Sequence, residues 1–219
     1  MQSEFWHERW RSSQIGFHRD SVHPALARHF RALAAPAGGT VLVPLCGKSL
    51  DMPWIAGRGH RVLGIELSPI AVREFFAGAG LAPRVRAVEP FVEYEAEPLR
   101  VLCGDFFALG TGHAGTLACG YDRAALVALP APMRADYARH LRSLLAGGRL
   151  LLVTVEYEQA QMQGPPFAVN ESEVRALFGG GVELLERRQV LDEEPKFRER
   201  GLTALAESVY LIDIGSVQA

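Results

Sequence analysis

The feature that most limits how this chain can fold is a regular alternation of short β-branched or apolar runs with stretches of helical periodicity. Thr40–Leu45 (TVLVPL) opens after Gly38-Gly39, a helical stretch follows around Asp51–Gly57, and Arg61–Glu66 (RVLGIE) is the next run. Ser68-Pro69 sets an N-cap residue and a first-turn proline at the start of a helix reaching Gly78. Phe91–Leu102 alternates in places and contains Glu97-Pro98, which reads as a hairpin or edge pair. Thr116–Gly120 reads as a short buried strand, and Pro132–Leu145 as a helix stopped by Gly147-Gly148. Arg149–Val155 (RLLLVTV) is the strongest strand pattern. Asn170 caps a helix to Phe178, and Val182–Val190 and Glu207–Ile212 are late strands. Such alternation demands right-handed crossovers and a sheet covered by helices on both faces. The last two runs are joined by a loop, which fits an antiparallel edge pair. The expectation is an α/β, Rossmann-like sheet of about seven strands, mostly parallel with an antiparallel C-terminal edge. One domain over residues 1–219 accommodates it, and a hydrophobic fraction of 48% suffices to cover both sheet faces.

Charge and composition remove several function classes. The formal net charge is −2 with both signs interspersed, so no basic stripe offers an electrostatic footprint for nucleic acid. No apolar run approaches the ~18–20 residues of a membrane span. The opening MQSEFWHERW is polar, aromatic and charged, unlike a secretory signal. Cys46, Cys103 and Cys119 lie in apolar contexts and cannot all pair, which favours a reduced, cytoplasmic protein. A small-molecule substrate is expected, handled by a monomer, with neither membrane nor nucleic acid as partner.

The expected ligand position is beyond the carboxyl ends of the parallel strands. The first strand ends in Pro44-Leu45-Cys46-Gly47-Lys48-Ser49 and the second in Glu66, nineteen residues after Gly47. An acidic residue ~20 positions after the glycine turn is placed to accept both hydroxyls of a ribose; the plainer reading is that Glu66 caps the helix begun at Ser68. Gly47-Lys48-Ser49 imitates the end of a phosphate-binding loop, but the first glycine of that motif falls on Leu42. A dinucleotide fingerprint needs three glycines where only Gly47 stands. S-adenosylmethionine carries no phosphate and tolerates a single glycine at the turn, so it is the favoured cofactor. Cys46 needs no role beyond that of a small buried hydrophobe. Asp105-Phe106 follows an apolar stretch and suits the amine and face of adenine, though Asp105 is equally a helix N-cap. Asp122-Arg123 is either a site pair or an exposed start to a helix.

Taken together, these segments resemble the thiopurine S-methyltransferase family. The matching pieces are Phe5-Trp6 with Trp10, Gly16-Phe17-His18, Pro44-Leu45-Cys46-Gly47-Lys48 and Arg58-Gly59-His60. Further along come Gly64-Ile65-Glu66, Glu74-Phe75-Phe76, Asp122-Arg123 with Ala125–Ala128, and Gly164-Pro165-Pro166-Phe167. The likeness runs from about Phe5 to Leu211. It implies a class I methyltransferase moving a methyl group from S-adenosylmethionine to a thiol on an aromatic or heterocyclic substrate, leaving S-adenosylhomocysteine, with tellurium and selenium compounds as further acceptors. It implies an N-terminal aromatic cover over residues 1–20 containing Trp6, Trp10 and Phe17. Leu45, Gly47 and Glu66 would meet the methionine and ribose portions, and Asp105 and Phe106 the adenine. Arg123 would lie by both cofactor and substrate as the catalytic residue, with Phe17 and Lys196 also on the substrate side. Vertebrate relatives carry a second arginine where this chain has Lys196, a point charge without the planar fork.

The chemistry supports that expectation independently. Trp6 and Trp10 are four apart and share a helix face. Aromatic faces attract a cation such as a sulfonium by ~0.5–2 kcal/mol once water is excluded; the plainer alternative is an aromatic stripe docked on the sheet. Transfer to sulfur is a direct displacement that gains chiefly from alignment, and an arginine would lower the pKa of the attacking thiol. No Ser/His/Asp set or metal spacing is present, no metal is expected, and His18 is read as structural. The competing readings are a methyltransferase acting on oxygen, nitrogen or a halide, and a binding protein that keeps the cofactor pocket without turnover.

Overall fold

Strands flanked by glycine turns and capped helices organise the chain around two compact units, Met1–Tyr121 and Asp122–Ala219, in a computed structural model that describes residues 3–215. Residues 1 and 2 of the expected N-terminal cover lie outside the described residues. The first unit runs α1 (Ser3–Arg11), α2 (Pro24–His29), β1 (Thr40–Pro44), α3 (Asp51–Ala56), β2 (Arg61–Glu66) and α4 (Pro69–Gly78). It continues through β3 (Arg84–Val88), β4 (Phe91–Ala96), β5 (Leu99–Cys103), α5 (Thr111–Ala114) and β6 (Cys119–Arg123), whose last two residues belong to the second unit. That unit adds α6 (Ala131–Leu144), β7 (Arg149–Glu156), α7 (Glu171–Phe178), β8 (Val182–Gln189), α8 (Pro195–Glu199) and β9 (Ala206–Asp213).

In the first unit the strand order is β3-β4-β5-β2-β1-β6. β2 pairs with both β1 and β5 in parallel, and β1 pairs in parallel with β6. Strands buried on both faces must be apolar throughout, and Val41, Leu42 and Val43 of β1 are all buried. From β1 the chain moves to β2 on one side and later returns as β6 on the other, so the strand order reverses between β1 and β6. Ligands of open α/β sheets bind outside the carboxyl ends of the strands at such a point. In the second unit β9 lies antiparallel between β7 and β8, the C-terminal edge expected from the loop connection. No helix among the described residues is long and apolar enough to cross a membrane.

Most expected boundaries recur within a residue or two. Ser68 caps α4 by accepting the Ala71 N–H, and Asn170 caps α7 by accepting that of Glu173. Two readings need correction. The described residues form nine strands rather than about seven. β3 (RVRAV) went unread because it is almost entirely exposed and shows no apolar face; it is held by its antiparallel ladder with β4 and by Arg84–Glu95 and Arg86–Glu93 ion pairs. The strand read at Thr116–Gly120 begins at Cys119 and reaches Arg123, because Gly115, at φ +68, still belongs to the turn leaving α5. Asp122 and Arg123 therefore end a strand; they do not start a helix.

Candidate functional site

The carboxyl end of β1 leads into a turn with two left-handed residues. Leu45 and Gly47 both have positive φ, +48 and +54. A leucine in that region is strained, and strain of this kind is kept only where surrounding contacts fix it. Here the Cys46 N–H donates to the Ile65 carbonyl at 3.0 Å, tying the turn to β2. The Gly47 N–H donates to Glu66 Oε2 at 2.9 Å, and the Ser68 N–H donates to Glu66 Oε1 at 2.8 Å. Glu66 is only 7% exposed. Burial raises its pKa above the ordinary glutamate value, while the backbone N–H groups of Ser68, Gly47 and Leu67 work the other way. Glu66 thus braces the start of α4, the plainer of its two readings, and each oxygen keeps acceptor capacity for a further donor.

The aromatic N-terminus lies at this turn. Trp10 is buried, and a Cβ on Gly47 would sit 3.2 Å from its indole, a tight approach that glycine accommodates. Phe17 meets Trp10 and Trp6 edge-on, with centroids 5.6 and 5.8 Å apart. Lys48 pairs with Glu74 of α4 at 2.8 Å and stands 6.0 Å from the Trp10 ring. Cys46 is buried with its thiol pushed well above the ordinary value by burial, which makes it a neutral packing residue. Gly64 makes room for it, since a Cβ there would lie 2.8 Å from the Cys46 sulfur.

At the end of β5, Asp105 is exposed and caps a short 3-10 turn by accepting the Phe107 N–H at 3.0 Å. Of the two adjacent rings, Phe106 is buried and Phe107 is 38% exposed. Phe107 is a candidate that pattern reading passed over, because burial cannot be assigned to one of two neighbouring phenylalanines from sequence alone.

The two cations expected on the substrate side, Arg123 and Lys196, belong to the second unit. β6 ends in Asp122 and Arg123, followed by Ala124 at φ +68. Asp122 is fully buried; it accepts the Tyr137 hydroxyl at 2.7 Å and the N–H groups of Ala125 and Leu126 at 3.2 Å. Arg123 is half-buried and makes no hydrogen bond or ion pair among the described residues. Downstream, Phe167 donates its N–H to the Val127 carbonyl at 2.7 Å. Arg134, buried on α6, bonds the Leu129 and Ala168 carbonyls and pairs with Glu173. Lys196, the second residue of α8, pairs with Glu194 at 3.0 Å, so its charge is already engaged.

Three residues that shape these surroundings were missed in the sequence. Asp51, 2% exposed, accepts the His23 N–H at 2.8 Å and the Tyr121 hydroxyl at 3.0 Å, anchoring the segment between the aromatic N-terminus and α2. Tyr137 and Arg134 share the buried face of α6 with Ala138 and Leu141. Their helical spacing was visible, but it marks a core-facing stripe and cannot say which partners meet it.

The family described as thiopurine S-methyltransferase matches residues 1–214. A thiopurine S-methyltransferase of Pseudomonas fluorescens is 51% identical over 214 residues, covering 97% of this chain and 99% of the relative. One from Bordetella petrii is also 51% identical, covering 96% and 97%. Among solved structures, a Burkholderia thailandensis 1,6-didemethyltoxoflavin-N1-methyltransferase with bound 1,6-didemethyltoxoflavin and S-adenosylhomocysteine superposes with a TM-score of 0.63. It shares 17% identity and covers 96% of this chain and 87% of its own. That likeness establishes the fold as the Rossmann-like one of S-adenosylmethionine-dependent methyltransferases.

Proposed function

The chain belongs to the thiopurine S-methyltransferase family, and we propose that it transfers a methyl group from S-adenosylmethionine to the sulfur of thiopurine-like or other aromatic and heterocyclic thiols. The observation that carries the cofactor half is the Glu66 carboxylate, buried at the end of β2 with each oxygen aligned by one backbone N–H. Such a group accepts but does not donate, which fits the two hydroxyls of a ribose. Trp6, Trp10 and Phe17 form the cover, Leu45 and Gly47 take the methionine portion, and Asp105 and Phe106 the adenine side. The whole chain is read as one methyltransferase domain, working as a cytoplasmic monomer on a small-molecule thiol.

S-adenosylmethionine, when bound, supplies an electrophilic methyl on a positively charged sulfur. The aromatic faces of Trp6, Trp10 and Phe17 favour that cation and exclude water from it. Arg123 stabilises the acceptor as its thiolate, because a fixed cation favours the charged form of a neighbouring acid. A half-buried guanidinium without an internal partner is free for that task, whereas Lys196 would first have to leave Glu194. Phe17 flanks the aromatic acceptor. No general base is required, since a thiol whose pKa has been lowered loses its proton to water. Selenium and tellurium nucleophiles belong to the same soft class. Phenols and amines do not gain in this way at neutral pH, which disfavours transfer to oxygen or nitrogen.

The test is the substitution Arg123→Ala, measured with a series of aryl thiols of graded pKa. kcat/KM should fall roughly ten- to a thousand-fold, the scale of ~1.4–4 kcal/mol of electrostatic stabilisation. The loss should shrink for thiols already ionised at the assay pH. Lys196→Ala should cost less. If Arg123→Ala weakens cofactor binding as much as turnover, the residue holds the cofactor and the thiolate role is lost.

A further inference from the structure

The turn that follows β6 is an expensive piece of backbone. Ala124 sits at φ +68, a conformation from which an alanine draws no local benefit. Something outside the residue must hold it there. The holding group is Asp122: its Oδ1 accepts the N–H groups of Ala125 and Leu126, closing the turn around Ala124, and its Oδ2 accepts the Tyr137 hydroxyl from α6. The only side chain inside that closed loop with no partner among the described residues and a charge to offer is Arg123. Neighbours on a strand point to opposite faces, so Asp122 turns into the core as Arg123 turns away from it.

We infer that Asp122 is a positioning residue for Arg123: its buried carboxylate, gripped by Tyr137, fixes the turn that presents the guanidinium to the acceptor sulfur. This rests on the thiolate role proposed above for Arg123. An uncharged cap would satisfy two backbone donors. A carboxylate satisfies three donors, and charge-assisted bonds hold them more firmly.

The charge also makes the arrangement sensitive to pH. Burial raises the Asp122 pKa to about 6, against the opposing effect of the Tyr137 hydroxyl and the Leu126 and Ala125 N–H groups. The other ionisable groups around it are Tyr137 on α6, itself pushed up by burial and by Asp122, and Arg123 beside it on β6. Arg134, one turn earlier on α6, is committed to Glu173 at 2.7 Å. On gaining a proton, Asp122 becomes a donor amid three donors, the turn loosens, and Arg123 loses its placement. Removing the Tyr137 hydroxyl takes away a bond that favours the ionised form, so protonation should then occur at higher pH.

The experiment compares the full-length wild type with Tyr137→Phe and Asp122→Asn. kcat/KM is measured from pH 5.5 to 9 with a thiol acceptor whose own pKa lies above that range, each value divided by that of Arg123→Ala at the same pH so that the thiol's own titration cancels, and S-adenosylhomocysteine affinity is measured alongside. The wild type should lose activity on acidification near pH 6. In Tyr137→Phe that acid limb should move up by on the order of one pH unit, leaving a loss of roughly fivefold at pH 6 that shrinks by pH 8.5. Asp122→Asn should abolish the limb and lower kcat/KM by on the order of tenfold above pH 7, a deficit that closes as the wild type itself loses activity on acidification, with cofactor affinity held. An acid limb that does not move in Tyr137→Phe refutes the inference while leaving the functional reading intact, as does a parallel fall in cofactor affinity. A wild type that methylates no thiol overturns the functional reading and this inference with it.

Discussion

Replacing Glu66 by alanine gives the sharpest quantitative test of the cofactor site. The carboxylate is 7% exposed, and its two oxygens are aligned by the Gly47 and Ser68 N–H groups at 2.9 and 2.8 Å. If those oxygens also accept the two ribose hydroxyls, the substitution removes two hydrogen bonds to a charged group. Each is worth about 1.5–3 kcal/mol, so S-adenosylhomocysteine should bind ~10²-fold more weakly at the least. The same change strands two backbone N–H groups, and the free protein should lose on the order of 2 kcal/mol of stability. Affinity is therefore measured by titration calorimetry below the variant's own unfolding temperature, so that the two effects separate. Glu66→Gln keeps the shape but sets an amide NH₂ against one of the backbone donors, and it should weaken binding nearly as much. Burial raises the Glu66 pKa, so wild-type affinity should begin to fall at a higher pH than an ordinary glutamate would give, and the Gln variant should lack that dependence. Affinity within about threefold of wild type in the alanine variant would refute the ribose assignment.

Three further outcomes are expected. Gly47→Ala places a Cβ at φ +54 and 3.2 Å from Trp10, so thermal or urea unfolding should show a loss of ~1–2 kcal/mol together with weaker cofactor binding. Because Asp122 binds its proton more tightly folded than unfolded, its contribution to stability is fully present below its ordinary value of 3.8 and is lost as pH rises through about 6. Relative to Asp122→Asn, the wild type should therefore lose on the order of 2–3 kcal/mol between pH 4 and 7 in chemical denaturation, and a constant difference would contradict the shift. Finally, limited proteolysis ahead of about residue 20 should slow when S-adenosylhomocysteine binds; equal rates with and without it would make the aromatic segment a fixed packing element.

The parts of this molecule that were legible in the sequence are those governed by short-range chemistry. Ser68-Pro69 and Asn170 announced helix starts, Gly147-Gly148 a helix stop, and the Gly47 to Glu66 spacing placed a carboxylate at a strand end. Edge strand β3 was hidden because strand patterns are read from burial, and β3 is stabilised instead by its ladder and its ion pairs with β4. The left-handed Leu45 and Ala124 were equally hidden, since both residue types avoid that conformation unless tertiary contacts impose it. The same holds for Asp51 and Asp122. Each carboxylate is buried opposite a tyrosine hydroxyl far along the chain, at 3.0 and 2.7 Å, and no local pattern records such a pairing.

The central claim, methyl transfer from S-adenosylmethionine to sulfur, is tested most directly by incubating the purified chain with methyl-labelled S-adenosylmethionine and three matched acceptors. These are a heteroaromatic thiol and its hydroxyl and amino counterparts, with products separated by mass. Label should appear on the thiol as a thioether, in step with formation of S-adenosylhomocysteine, and on the other two at least a hundredfold more slowly. Label on the hydroxyl or amino compound at a comparable rate, or on none of the three while S-adenosylhomocysteine still binds, would contradict it.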